Sequence, residues 1–502
     1  MSTWNVGSWI ERRARLAPDR LALVHGDRAL TYRELARRIR RLAAGLQGLG
    51  VGRGDRVTWL GPNHPAFLEG MFACGLLGAV LAPVNHRLPA PGIARILRDL
   101  EPSALLLHAA PAPAVPGSVR SVVEVGATGP TGLEALVAGA AREMDEAPVG
   151  PDDLLLLPHT SGTTGRPKGV MLTHGNVTWN AINVLTCSDL RADDVTVAVA
   201  PFFRVGGTGV NVLPVLFRGG TVVVPGESGP ERTLELVERH RVTVGFANPD
   251  LLDALARSPS WGSADLSSLR FVLTGGAPVP ERLIRTFQER GVPLLQGYGL
   301  SEAGPVALLL DPGDAPRKVG SAGRPPLFVD VRIVAPDGRE VGPGETGELE
   351  IRGPNVMAGY WRRPAATREA LTPDGWLRTG DAARADEEGF VWVVDRLADR
   401  FTCDGHDVYP GDVERALLEH PGIEEAGVVG VPAGPRGEVG AAFLVRSPDA
   451  WVGADELLAR CRKRLAPHQV PASITFLERL PRNPVGKLMR DELRALANQG
   501  RP

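Results

Sequence analysis

Cysteine is scarce in this chain. Cys74, Cys187, Cys403 and Cys461 are its four cysteines in 502 residues, far apart and with no Cys-x-x-Cys pair. That spacing excludes a zinc ribbon and a disulfide framework and suits a reducing compartment, so a cytoplasmic location is expected. Long apolar runs are missing as well. The longest, around Met71 to Val84, is broken by glycine and proline and reads as buried helix and strand rather than a bilayer span. Glu11, Arg12 and Arg13 fall in the first helix-like stretch, where a signal peptide would be apolar, so none is expected. Charge of one sign is not in excess: the formal net charge is -2. Such a chain exerts no long-range pull on nucleic acid or anionic lipid, and neither is expected as a partner. Repeats are absent, and the one biased tract, His108 to Pro116, reads as a loop.

Glycine and proline are plentiful, 60 and 44 residues, and mark many tight turns. The length exceeds what one core supports, so two or three domains are expected. Thr31-Tyr32-Arg33-Glu34 reads as a capping box. Leu35, Ile39, Leu42, Leu46 and Leu49 then recur at helical spacing. Strand-like Val57 to Leu60, Thr221 to Val224, Val242 to Phe246 and Phe271 to Leu273 alternate with helix-like segments such as Glu231 to His240, Leu251 to Arg257 and Glu281 to Arg290. The alternation argues for βαβ units and largely parallel sheets. From Val331 to Ile351 the pattern turns antiparallel around Pro336-Asp337-Gly338. A second change falls at Asp395-Arg396. Beyond it helix-like Asp412 to His420 and Ala454 to Arg464 enclose strand-like Ala426 to Val431 and Ala441 to Val445. The expected fold is α/β: a large N-terminal domain (1–395) of stacked mixed or parallel αβ sheets with a small antiparallel β subdomain, and a small mobile α+β C-terminal domain (396–502).

The segment richest in chemistry is Thr160-Ser161-Gly162-Thr163-Thr164-Gly165-Arg166-Pro167-Lys168-Gly169, directly after the apolar run Leu154 to Leu157. Hydroxyls, backbone N–H groups and one ammonium at a strand-to-loop junction can wrap a polyphosphate, with glycines allowing close approach. Pro167 before Lys168 and Gly169 after it exclude the Walker A arrangement.

Four more segments follow in order: Gly275-Gly276-Ala277, Gly297-Tyr298-Gly299-Leu300-Ser301-Glu302, Gly375-Trp376-Leu377-Arg378-Thr379-Gly380-Asp381, and Pro481-Arg482-Asn483-Pro484-Val485-Gly486-Lys487. Together with the first they resemble the adenylate-forming superfamily of acyl- and aryl-CoA synthetases, nonribosomal-peptide adenylation domains and beetle luciferases, over nearly the whole chain. The resemblance implies ATP/AMP, Mg²⁺ and coenzyme A as cofactors or co-substrates. It implies that Thr160, Ser161, Gly162, Thr163, Thr164 and Lys168 handle the β- and γ-phosphates. Gly275, Gly276 and Ala277 would lie along the adenine and Tyr298 would stack on it; Gly297, Gly299 and Ser301, the last a hydroxyl where the family usually has Thr, would also belong to the nucleotide site. It further implies that Glu302 ligates the metal, Asp381 and Arg396 hold the ribose, and Lys487 swings in for adenylation. The pocket for the acid would be lined by Phe202, Phe203, Arg204, Phe246, Ala247, Asn248 and the stretch Gln296 to Ser301, Leu300 included.

Some positions depart from the family pattern. Arg204 stands where a His or an aromatic is common; as a permanent cation it either clamps an anion or points outward. Ala398 replaces the hinge Asp or Lys, with Asp399 beside it. The loop Cys403-Asp404-Gly405-His406-Asp407 carries Asp404 in place of a glycine, and His406 with Asp407 can form an acid–base pair or cap the next helix. The reading that follows is an acid–CoA ligase acting through an acyl adenylate on an aryl or short to medium acyl acid, as monomer or homodimer. A carrier protein is a possible acceptor in place of CoA. An alternative is an ATP-dependent diazotase joining nitrite to an aryl amine. A third is a non-catalytic nucleotide-binding module.

Overall fold

The computed structural model describes residues 4–108, 119–140, 144–145, 147–160, 167–226, 229–277, 279–447, 450–482 and 488–499. They divide into two compact units, 1–331 with 351–378, and 332–350 with 379–502.

The first unit holds three sheets. In the largest, the strands Leu154–Leu156, Val80–Val84, Arg56–Leu60, Ala104–His108 and Ser121–Val125 run in that spatial order and in parallel. The antiparallel strands Lys168–Thr173 and Gly359–Tyr360 extend it on the Leu154–Leu156 side. The second sheet orders Val195–Val197, Thr221–Val223, Leu21–His25 and Arg28–Thr31. The third runs Val244–Ala247, Phe271–Thr274 and Leu294–Tyr298 in parallel, closed by antiparallel Leu308–Leu309.

Local sequence explains much of this. The capping box forms as expected: Thr31 accepts from the Glu34 N–H, and the Glu34 carboxylate accepts from the Thr31 N–H, opening helix Tyr32–Gly48. The apolar run reads correctly too. Helix Pro65–Leu77 is buried at every position, starts with proline after the His64 cap and stops at Gly78 in the left-handed region, and Val80–Val84 is a fully buried central strand.

The second unit contains a four-stranded sheet of Asp330–Val334, Gly347–Arg352, Leu377–Ala385 and Val391–Arg396, the last two antiparallel. The strands up to Arg396, placed in the first domain by the sequence, thus fall largely into this unit. A hairpin of Phe401–Cys403 with His406–Val408 follows. Then comes a sheet in which Ile423–Pro432 and Glu438–Arg446 are antiparallel and Ser473–Phe476 runs parallel to the latter. Val428, Val429, Phe443, Leu444, Leu457 and Leu493 lie at the centre of its apolar core.

Candidate active site

Parallel strands deliver their C-terminal ends to one edge of a sheet, where loops can meet a ligand. In the third sheet those ends carry Ala247, Thr274 and Tyr298. Two of the glycines beside them are there for close contact. A Cβ on Gly275 would lie 2.5 Å from the Gly297 carbonyl oxygen, and one on Gly299 would lie 2.1 Å from that of Pro305. Gly276 has φ +83° and open space around it, so its demand is conformational alone. Tyr298 is half-buried and pairs with Leu308 in the antiparallel register, its carbonyl accepting the Ala307 N–H at 2.9 Å. Ala277 is exposed beyond Gly276. Gln296 is committed to the core, donating to the Ser321 carbonyl at 3.1 Å.

Leu300 precedes a short 3₁₀ turn, Ser301–Ala303, that presents Glu302. Glu302 is held from both ends. Its backbone carbonyl accepts the Met357 N–H at 2.8 Å, and its Oε1 accepts the Tyr360 hydroxyl at 2.9 Å. The next residue, Ala303, accepts from the buried Asn355 carboxamide at 2.6 Å.

Thr160 and Lys168 are cross-strand partners in the hairpin that flanks the phosphate loop. The Lys168 ammonium lies 4.9 Å from the centre of the Tyr360 ring. Lys168 and Glu302, far apart in sequence, therefore meet the same tyrosine. Ser161, Gly162, Thr163, Thr164 and Lys487 lie outside the described residues.

Tyr360 is the residue that sequence reasoning missed. It lies in the short strand Gly359–Tyr360, outside every segment the sequence analysis singled out.

For the metal, Glu302 fits. It offers a carboxylate oriented through one oxygen, and no cluster of three or more His, Cys, Asp or Glu ligands occurs among the described residues. A hard cation at Glu302 would therefore rely on phosphate oxygens and water, which is how Mg²⁺ is usually held.

The residues expected around the acid divide. Phe202 is 2 % exposed and packs on Phe67 with ring centroids 5.0 Å apart, while its N–H donates to Asn63; it is a core residue. Phe203 meets His86 edge-on at 5.7 Å and the Arg87 guanidinium at 5.9 Å. The Phe246 ring lies against Gly206, 3.7 Å from where a Cβ would be. Asn248 caps helix Pro249–Ala256, its Oδ1 accepting from the Leu251 N–H at 3.2 Å. Arg204 is exposed at the start of the short helix Val205–Gly209. Although the residue as a whole reaches solvent, the chain packed around its guanidinium desolvates it in part; this first, then the neighbouring Arg87 guanidinium, pulls its pKa below the ordinary arginine range, with Asp250 opposing.

In the second unit Asp381 and Arg396 are cross-strand partners joined by an ion pair of 2.9 Å. Asp381 is buried, and its N–H donates to Thr379 Oγ1 at 3.0 Å. Next to Arg396, the Asp395 carboxylate accepts the N–H groups of Arg396 and Gly411. Burial pushes its pKa up to about 6, against the Arg490 guanidinium, while Glu414 adds to the rise. Arg490 gathers Glu414 at 2.5 Å, Asp399 at 3.2 Å and Asp395 at 3.7 Å. Asp399, beside the odd Ala398, thus has a partner. In the altered loop Asp404 takes φ +52° and pairs with Arg436 at 2.7 Å. Asp407 pairs with Arg400 at 2.7 Å, and His406 stacks on His468 at 4.5 Å; the His406–Asp407 couple is not formed.

Among the described residues no helix is long and apolar enough to cross a membrane.

Residues 10–361 match the AMP-binding enzyme family and residues 412–487 the AMP-binding enzyme C-terminal domain. The chain is similar to a feruloyl-CoA synthase of Amycolatopsis sp, 47 % identical over 98 % of this chain and 99 % of that protein. It is also similar to an indoleacetate–CoA ligase of Aromatoleum aromaticum, 39 % identical over 98 % of each. The o-succinylbenzoate CoA synthetase of Bacillus subtilis, solved with its acyl-adenylate intermediate, superposes with a TM-score of 0.85 at 33 % identity, covering 97 % of this chain and 98 % of that one. The same enzyme has been solved with ATP and a magnesium ion. None of these relatives is a diazotase, so the nitrite reading has no support, and all of them are ligases rather than passive binders. The chain belongs to the AMP-binding enzyme family and is an adenylate-forming enzyme of the acid–CoA ligase kind.

Proposed function

We propose that this enzyme converts an aromatic carboxylic acid to its CoA thioester through an aryl or arylalkyl acyl adenylate. One observation carries the adenylation half: Glu302 and Lys168 converge on Tyr360 beside glycine-lined ends of parallel strands. The aromatic preference is supported by the full-length relatives that act on ferulate and indoleacetate and by the Phe203 and Phe246 rings near the Arg204 loop.

In the first step a carboxylate oxygen of the acid attacks the α-phosphorus of ATP. Pyrophosphate leaves with the electron pair of the broken P–O bond. The chain's task is positioning and charge neutralisation. Lys168 holds phosphate oxygens, Tyr298 stacks on the adenine, and Asp381 with Arg396 takes the ribose hydroxyls. Mg²⁺ bound at Glu302 would supply further charge neutralisation at the phosphates. Lys487 brings its ammonium to the α-phosphate oxygens and the bridging oxygen. In the second step the CoA sulfur attacks the acyl carbon and AMP departs. We propose that a swing about Asp395-Arg396 withdraws Lys487 between the steps, a hinge of the usual few-residue kind.

The test is pyrophosphate release with ferulate, cinnamate, indoleacetate, short acids and long acids, each with and without CoA. Aryl acids should release one equivalent of pyrophosphate without CoA and turn over only with it. Turnover confined to aliphatic acids would sink the aromatic reading. In Lys487→Ala, adenylation should fall by about 10²-fold or more with ATP still binding; full activity would remove Lys487 from the first step.

A further inference from the structure

The segment 354–361 is bonded to two site elements at once. Toward the phosphate hairpin, the Ala358 N–H donates to Met171 at 2.9 Å and the Trp361 N–H to Gly169 at 2.8 Å. The Asn176 carboxamide donates to the carbonyls of Pro354 and Val356, each at 2.8 Å. Toward the acidic turn, Met357 donates to Glu302 and Asn355 to Ala303. The Tyr360 N–H is fixed on Thr367 Oγ1 at 2.9 Å, so the tyrosine backbone has little freedom. Its side chain then makes the two functional contacts: hydroxyl to Glu302 Oε1 at 2.9 Å, ring face to Lys168 at 4.9 Å.

We propose that Tyr360 is a positioning residue that couples the cation-binding carboxylate of Glu302 to the phosphate-binding ammonium of Lys168. The inference rests on the adenylation reading above and goes beyond it. A phenol that donates to Oε1 fixes the plane of the carboxylate and directs Oε2 to the cation. Supporting groups of this kind typically alter metal affinity 10- to 100-fold when removed. The ring face attracts the ammonium through its quadrupole and keeps the long lysine side chain from sampling other rotamers. One aromatic thereby sets the separation between two charges of opposite sign that must act on the same triphosphate.

The experiment uses the full-length chain and two substitutions. Tyr360→Phe removes the hydroxyl and keeps the ring; Tyr360→Leu removes both. Mn²⁺ binding in the presence of ATP is followed by electron paramagnetic resonance, and ATP binding in EDTA by calorimetry, beside thermal unfolding of each variant. Tyr360→Phe should raise the Mn²⁺ concentration needed about 10-fold with ATP affinity in EDTA unchanged. Tyr360→Leu should also weaken ATP in EDTA about threefold, the size of a modest cation–π contact. A wild-type Mn²⁺ titration in Tyr360→Phe overturns the coupling while leaving the adenylation reading intact. Wild-type protein that binds no Mn²⁺ with ATP overturns both. Should Tyr360→Leu fail to fold, the Tyr360→Phe titration decides alone.

Discussion

Asp381 and Arg396 face each other across an antiparallel strand pair, the guanidinium Nε 2.9 Å from Asp381 Oδ1. Arg396 also donates to the Thr379 carbonyl at 3.1 Å, so its position does not depend on Asp381 alone. Asp381→Asn should therefore leave the strands paired. It should weaken ATP binding about 10-fold, the value of one hydrogen bond to a charged group, with only a few degrees lost in Tm. Calorimetry against ATP and AMP checks this, and unchanged affinity for both would remove Asp381 from the ribose.

Gly299 and Gly276 make opposite demands and should answer differently to alanine. At Gly299 the new methyl would sit 2.1 Å from a backbone oxygen, so the strand end carrying Tyr298 and the turn carrying Glu302 must move. Gly299→Ala should cost about 1–3 kcal/mol of stability and at least 10-fold in ATP affinity. At Gly276 nothing lies within 4 Å and the cost is the left-handed backbone, about 1–2 kcal/mol. Nucleotide affinity there should change less. Equal affinity losses in the two variants would argue against close packing as the role of Gly299.

Three histidines make the first unit acid-sensitive. Burial lowers the pKa of His64 to about 3 and those of His159 and His174 to about 4; at His64 the neighbouring His108 and His25 add to the fall. Geometry agrees at two of them. His64 Nδ1 accepts the Ala66 N–H and His174 Nδ1 accepts the Val6 N–H, both at 3.1 Å, so protonation would set donor against donor. The unfolded chain binds these protons near pH 6.5 and the folded chain does not. Stability is therefore fully present above pH 6.5 and is lost as pH falls toward 4, by up to about 3 kcal/mol per imidazole. Urea unfolding at pH 7.5, 6 and 5 measures it, and His174→Asn should flatten the dependence. A midpoint constant over that range would refute the assignment.

Much of the architecture was legible because it is written locally. The Thr31–Glu34 capping box lies within four residues, and the buried helix and strand after Pro65 follow from an apolar run whose Gly78 marks the end of the helix. The helix expected at Ala454 to Arg464 has those bounds in the structure. Side-chain direction was less legible. The family resemblance implied Phe202 and Asn248 as pocket residues, but tertiary contacts turn the first into the core against Phe67 and local capping claims the carboxamide of the second. Tyr360 was invisible for the same reason. Its two partners come from elsewhere in the chain, and nothing in Gly359-Tyr360-Trp361 announces them. The altered loop was legible as altered but not as stabilised: only the fold shows that Asp404 and Asp407 each have an arginine.

The guanidinium that holds Asp395, Asp399 and Glu414 belongs to a residue three positions beyond Lys487. Three peptide units extend at most about 11 Å. On the proposed mechanism, the lysine assigned to adenylation is joined by that short stretch of chain to an arginine that holds both Asp395 and Asp399, the segment proposed as the pivot.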